Sequence, residues 1–188
     1  NQTLSRADAA AQLDINPNMR TLLLMGGSMG YADHVKILEK LTSIGIPLQL
    51  LVVCGNNKKM QLRVEQFASR YEGDCVVKPY GFVHNVEVMM SASDCIVSKP
   101  GGLTVSEALA KNLPMLLVDP IPGHEERNVE FLVNNGMAAL ITKHFPIDEA
   151  VYELFRNPVR LQTVRQTMQA IAHPDATERL AEFVLHNK

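Results

Sequence analysis

Short apolar runs recur along the chain at residues 21–25, 48–53, 75–78, 95–97, 115–118 and 138–141, each closed off by Gly, Pro, Asn or Asp. They predict six β-strands. Between them, apolar residues fall three and four apart: Val35, Leu38 and Leu41; Leu62, Val64 and Phe67; Val86, Met89 and Met90; Val105, Ala108 and Leu109; Val129, Leu132 and Val133. That spacing puts each set on one face of a helix. The strand runs alternate little, as expected of strands covered on both faces, and regular strand–helix succession favours an open parallel sheet. Past Pro146 the pattern turns wholly helical, with helices expected through Ile147 to Phe155, over 159–171 and over 176–184, flanking the sheet. Residues 5–13 predict a short helix that a loop at 14–18 closes.

Composition narrows the class. In 188 residues, 18 Lys plus Arg against 20 Asp plus Glu give a net charge of −2, and 46% of residues are apolar. A chain so balanced carries no electrostatic footprint for nucleic acid and is too apolar for intrinsic disorder. Its longest apolar runs, at 115–118 and 137–141, fall far short of the ~18 residues of a membrane span. Cys54, Cys75 and Cys95 are odd in number and far apart, which suits a reducing cytosol better than a disulfide framework or a metal clasp. No export signal is read at the amino end.

An α/β, Rossmann-like sheet binds ligands beyond the carboxyl ends of its strands, so the loops there carry the candidate chemistry. The first is Met25-Gly26-Gly27-Ser28-Met29-Gly30, whose glycines free backbone N–H groups to close on an anion. It is neither Gly-x-Gly-x-x-Gly nor a P-loop, and the second strand ends in Cys54-Gly55-Asn56-Asn57 without the carboxylate an NAD ribose needs. A tight turn packing helix on strand would look the same. The second is Ser98-Lys99-Pro100-Gly101-Gly102-Leu103-Thr104-Val105-Ser106-Glu107, where Pro and two Gly bare the backbone at a helix start whose dipole favours a diphosphate. Thr104 and Glu107 could form a capping box, or the Glu107 carboxylate could turn outward and accept both hydroxyls of a ribose. The third, Asp119-Pro120-Ile121-Pro122-Gly123-His124-Glu125-Glu126-Arg127-Asn128, is a stiff loop ahead of a helix and, taken alone, unremarkable.

Taken together with Tyr80-Gly81-Phe82-Val83, these loops resemble the carboxyl-terminal half of a GT-B glycosyltransferase. More narrowly they are similar to processive diacylglycerol glycosyltransferases and monogalactosyldiacylglycerol synthases, with the peptidoglycan GlcNAc transferase more distant. The resemblance runs from about Arg6 to the end of the chain. It implies a UDP-sugar site in one lobe of a GT-B fold: Gly81, Phe82 and Val83 against uracil, Glu107 on the ribose, and Gly102, Leu103 and Thr104 on the diphosphate. Pro100 and Gly101 would shape that helix start, Gly27 and Ser28 would approach from the first loop, and Lys99 would add positive charge. Glu126, Asn128 and Glu125 would orient the sugar hydroxyls. The implied reaction is inverting transfer of a hexose to a diacylglycerol-type lipid, with UDP-sugar as substrate and with no cofactor and no metal.

The same resemblance implies that residues 1–18 are a linker or short helix from a preceding lobe and 19–188 the nucleotide-sugar lobe. A second lobe would supply the catalytic base and the lipid acceptor site, so no catalytic residue is assigned here. The full-length protein would be cytoplasmic and peripheral on the inner face of the membrane, without a transmembrane segment. Three alternatives stay open: a single-lobe UDP-GlcNAc-binding subunit of a two-chain transferase, a UDP-sugar 2-epimerase, and a non-catalytic nucleotide-sugar-binding module.

Overall fold

A computed structural model describes residues 4–26 and 33–171. Helix α1 (Arg6–Gln12) precedes β1 (Arg20–Met25), and the elements then alternate: α2 (His34–Thr42), β2 (Leu48–Val53), α3 (Lys58–Arg70), β3 (Val76–Tyr80), α4 (Val86–Ala92), β4 (Cys95–Ser98), α5 (Gly102–Ala110), β5 (Met115–Leu117), α6 (Glu126–Asn134) and β6 (Ala138–Leu140). Two helices follow, α7 (Ile147–Arg156) and α8 (Pro158–Ile171). The helix expected over 176–184 lies outside the described residues.

All strand pairings are parallel, and the order across the sheet is β3-β2-β1-β4-β5-β6. The expected α/β class, Rossmann-like with six parallel strands, is what the structure has. Because side chains alternate across a strand, Leu22 and Leu24 of β1 enter one core while Leu23 enters the other. Leu50 and Val52 likewise oppose Leu51 and Val53, and Val97 opposes Ile96. Residues of α2, α3 and α7 fill the first core, and those of α1, α4, α5 and α6 the second. Both faces of the sheet are therefore covered by helices. Helix α8 bridges them, with Leu161 in the first core and Met168 in the second.

Ser5 caps α1 by accepting the Asp8 amide at 3.1 Å, and Ala9 of that helix is fully buried in the second core. The expected strand at 75–78 is displaced: β3 starts at Val76 and runs on through Pro79 to Tyr80. It forms one edge of the sheet, where a proline is tolerated because no neighbour needs its missing N–H. β5 and β6 each end one residue before the expected boundary, although Val118 and Ile141 still donate to Ser98 and Leu117 at 3.0 and 2.9 Å. The three cysteines are buried and free. No helix among the described residues is long and apolar enough to cross a membrane.

Candidate functional site

The strand order reverses direction at β1, which pairs with β2 on one side and β4 on the other. Chains leaving β1 and β4 pass to helices on opposite faces, and in open sheets such a switch point is where ligands bind, beyond the carboxyl ends of the strands. Here lies a cleft of about 350 Å³, in the size range of small-molecule sites. Phe82, Val83, Leu103, Thr104 and Glu107 all line it, as do Met25, Val53, Gly55 and Val86, to which sequence reasoning gave no site role. Strand-end position marks Met25 and Val53. Nothing in the local pattern distinguishes them from core residues.

Helix α5 forms one wall. Its N-cap is Gly101, with φ −66° and ψ 142°, and no side chain caps it. The first-turn amides of Gly102, Leu103 and Thr104 therefore have no partner among the described residues. A Cβ placed on Gly102 would meet nothing within 4 Å, so the glycine leaves open space over those amides. Leu103 is 75% exposed at the rim.

Glu107 lies inside α5, five residues beyond its first, so the capping-box alternative for Thr104 and Glu107 does not hold: the helix starts too early. The Glu107 carboxylate makes no hydrogen bond or ion pair among the described residues and faces the cleft. Ser106 is committed to its own helix, donating to the Gly102 carbonyl at 2.9 Å.

Across the cleft, Gly81, Phe82 and Val83 follow β3. Phe82 is 57% exposed and meets the His84 ring edge-on with centroids 5.0 Å apart. Pro100 is buried and Lys99 half-buried at the end of β4. The loop after β5 turns on positive φ at Asp119 and Gly123, 44° and 79°. It closes on itself through Glu125, whose Oε2 accepts the Ile121 amide at 2.7 Å. Asn128 donates from Nδ2 to the Pro100 carbonyl at 2.8 Å. Glu126 is exposed in the first turn of α6. Glu125 and Asn128 are thus gathered against Pro100 and Gly101 and do not line the cleft itself. Gly27 and Ser28 lie outside the described residues.

On the β1 side, Asp33 is the N-cap of α2 and His34 its first residue, fully buried, with Nδ1 3.7 Å from the Cys54 sulfur. Burial lowers the His34 pKa from 6.5 to about 4, only partly opposed by the charge of Asp33. Burial, aided by Glu65, pushes the Cys54 thiol up to about 11. Both groups are therefore neutral at pH 7. Among the described residues, no three His, Cys, Asp or Glu side chains come together as metal ligands.

The fold recurs in solved structures. MurG of Acinetobacter baumannii superposes with a TM-score of 0.76 at 19% identity, over 98% of this chain and 54% of that one. The Streptomyces sp. SF2575 glycosyltransferase SsfS6, solved with thymidine diphosphate, gives 0.61 at 15% identity, over 97% and 44%. At sequence level, the processive diacylglycerol beta-glucosyltransferases of Bacillus subtilis (strain 168) and Bacillus pumilus (strain SAFR-032) are 29% and 28% identical, over 92% and 91% of this chain. The chain spans 44% of the length of either relative. Residues 21–180 match the glycosyltransferase family 28 C-terminal domain, covering the whole cleft and every strand but for the first residue of β1. The chain, with its two-faced parallel sheet and the crevice at its switch point, belongs to that family of glycosyltransferase domains.

Proposed function

We propose that this domain binds the UDP-sugar donor of an inverting glycosyltransferase whose acceptor is a diacylglycerol-type lipid. The observation that carries the reading is an uncapped helix start next to an unpaired carboxylate in an apolar cleft. Each part answers a different piece of the donor. Phe82, Val83 and Val86 supply an apolar wall for uracil, with the backbone at Gly81 to Val83 available to its polar edge. Glu107 accepts the two ribose hydroxyls, a task that needs two acceptor oxygens on one group. The amides of Gly102, Leu103 and Thr104, with the partial positive charge of the α5 dipole, take the diphosphate. Glu126 and the free acceptor oxygens of Glu125 and Asn128 are within the same loop system for the sugar hydroxyls.

In this reading a lipid hydroxyl displaces UDP from the anomeric carbon in one step. The sugar passes through an oxocarbenium-like state while charge builds on the departing diphosphate. Preorganised amides at a helix start stabilise charge where it develops, so no metal ion is invoked. The base and the lipid site belong to the part of the enzyme that the relatives carry in the rest of their length, and the whole protein works at the cytoplasmic surface of a membrane. The names of the Bacillus relatives support the lipid acceptor. Titration calorimetry with UDP is the test. Binding in the micromolar range, about −8 kcal/mol, is expected, with ADP and NAD silent. Heat with ADP and none with UDP overturns the proposal.

A further inference from the structure

Asn128 is aimed at a backbone carbonyl. Its Nδ2 stands 2.8 Å from the Pro100 oxygen, and since a carbonyl offers no proton, the nitrogen must be the end that faces it. The amide orientation is therefore fixed, with Oδ1 left over. In a trans peptide the C=O and N–H point in opposite directions, and no cis bond occurs here. Holding the Pro100 carbonyl toward α6 thus turns the Gly101 amide proton away from Asn128. Gly101 is the N-cap of α5, so this peptide is the last before the uncapped first turn. Glu125 lies beside the same joint. Its Oε2 holds the Ile121 amide at 2.7 Å, while Oε1 lies 3.5 Å from where a Cβ of Gly101 would stand.

We infer that Asn128 is a positioning residue for the diphosphate. By gripping the Pro100 carbonyl from α6, it sets the Pro100–Gly101 peptide so that the Gly101 amide joins those of Gly102 and Leu103 in receiving the anion. This replaces the sugar contact given to Asn128 above by an action through the Pro100–Gly101 peptide, and it rests on the reading that UDP occupies the cleft.

The two roles separate by ligand. With the chain as it stands, uridine, UDP and UDP-glucose are titrated against wild type, Asn128→Ala and Asn128→Asp. The Asp variant keeps an acceptor oxygen and the side-chain shape but cannot donate to Pro100. Positioning predicts that both variants weaken UDP and UDP-glucose by the same factor, about tenfold, the order of one charge-assisted hydrogen bond, and leave uridine unchanged. A loss confined to UDP-glucose makes Asn128 a direct sugar ligand and overturns the inference, as does a loss shared by uridine or no loss at all. Should either variant fail to fold, Asn128→Ser, too short to reach the Pro100 oxygen, takes its place: weaker UDP with unchanged uridine supports the inference, and unchanged UDP overturns it. If wild type itself ignores UDP, the proposed function falls first, and that failure is recognisable before any variant is made.

Discussion

The two ends of the sheet treat their polar groups in opposite ways. At the amino end, the Asp94 side chain is only 3% exposed and every oxygen is engaged. Arg6 binds it at 2.9 Å, Arg20 at 3.3 Å and Arg165 at 3.6 Å, while the Thr21 amide donates to it at 2.9 Å. One carboxylate thereby ties α1, β1, β4 and α8 together. At the carboxyl end, Glu107 has no partner among the described residues and the first turn of α5 has no cap. Saturated polar groups hold a fold together, whereas unsatisfied ones are available to a ligand. On the proposed reading, the contrast assigns stability to one end and recognition to the other.

The largest effect should come from breaking the saturated end. Asp94→Ala strands three guanidiniums and leaves the buried Thr21 amide without its acceptor. Removing one member of a buried pair costs 3–5 kcal/mol, and because the arginines keep 32–42% of their surface in water, the low end, about 3 kcal/mol, is expected. Urea unfolding measures it. UDP affinity of the folded fraction should not change, and a parallel loss of affinity would show that the two ends are not independent.

A similar magnitude is expected from acid, at the other end. The His34 pKa in the folded chain, about 4, is below its ordinary 6.5, so the folded state resists a proton that the unfolded state accepts. Its stabilising effect is complete above pH 6.5, declines as pH falls, and is gone near pH 4, a loss of about 3 kcal/mol. Since carboxylates also titrate toward the lower end of that window, the readout is a difference. His34→Asn should be less stable at pH 7 yet lose less between pH 6.5 and 4.5 than wild type in urea unfolding. Equal slopes would mean that His34 is solvated.

These two sites show why the fold was more legible than its chemistry. The central strands are buried on both faces, so β2 reads as an apolar run interrupted only by the buried Gln49, and its bounds are those expected. β3 slipped because an edge strand is only half-covered and Pro79 resembles a terminator. The loop motifs are contiguous in sequence, and five of the residues they single out, Phe82, Val83, Leu103, Thr104 and Glu107, line one cleft. Asp94 could not be found that way: its partners lie at positions 6, 20, 21 and 165, and no local pattern joins them. The Asn128–Pro100 bond crosses 28 positions and is equally invisible along the chain.

Smaller in energy, and confined to binding, is the loss of the unpaired carboxylate. Glu107→Ala should weaken UDP by about 1–3 kcal/mol, the scale of a hydrogen bond to a charged group, while leaving the thermal midpoint where it was. Calorimetry and a melting curve on the same sample decide it. A lower midpoint with unchanged affinity would return Glu107 to a structural role and erase the contrast between the two ends.

The finest test converts one end into the other. α1 has a serine cap, and α5 has a glycine at the same position, so Gly101→Ser supplies α5 with the acceptor it lacks. Its backbone, φ −66° and ψ 142°, is open to any residue, and a new Cβ would only touch Glu125 Oε1 at 3.5 Å, an ordinary contact. Replacing a glycine cap by serine is worth a few tenths of a kcal/mol, so the variant should unfold slightly later than wild type. The same hydroxyl would occupy an amide that a diphosphate needs. UDP should therefore bind more weakly to the more stable protein, with uridine unaffected. Stability and affinity moving in opposite directions from one added oxygen is what an N-terminus left uncapped for a ligand requires. If both rise together, the α5 amides are not where the phosphates go.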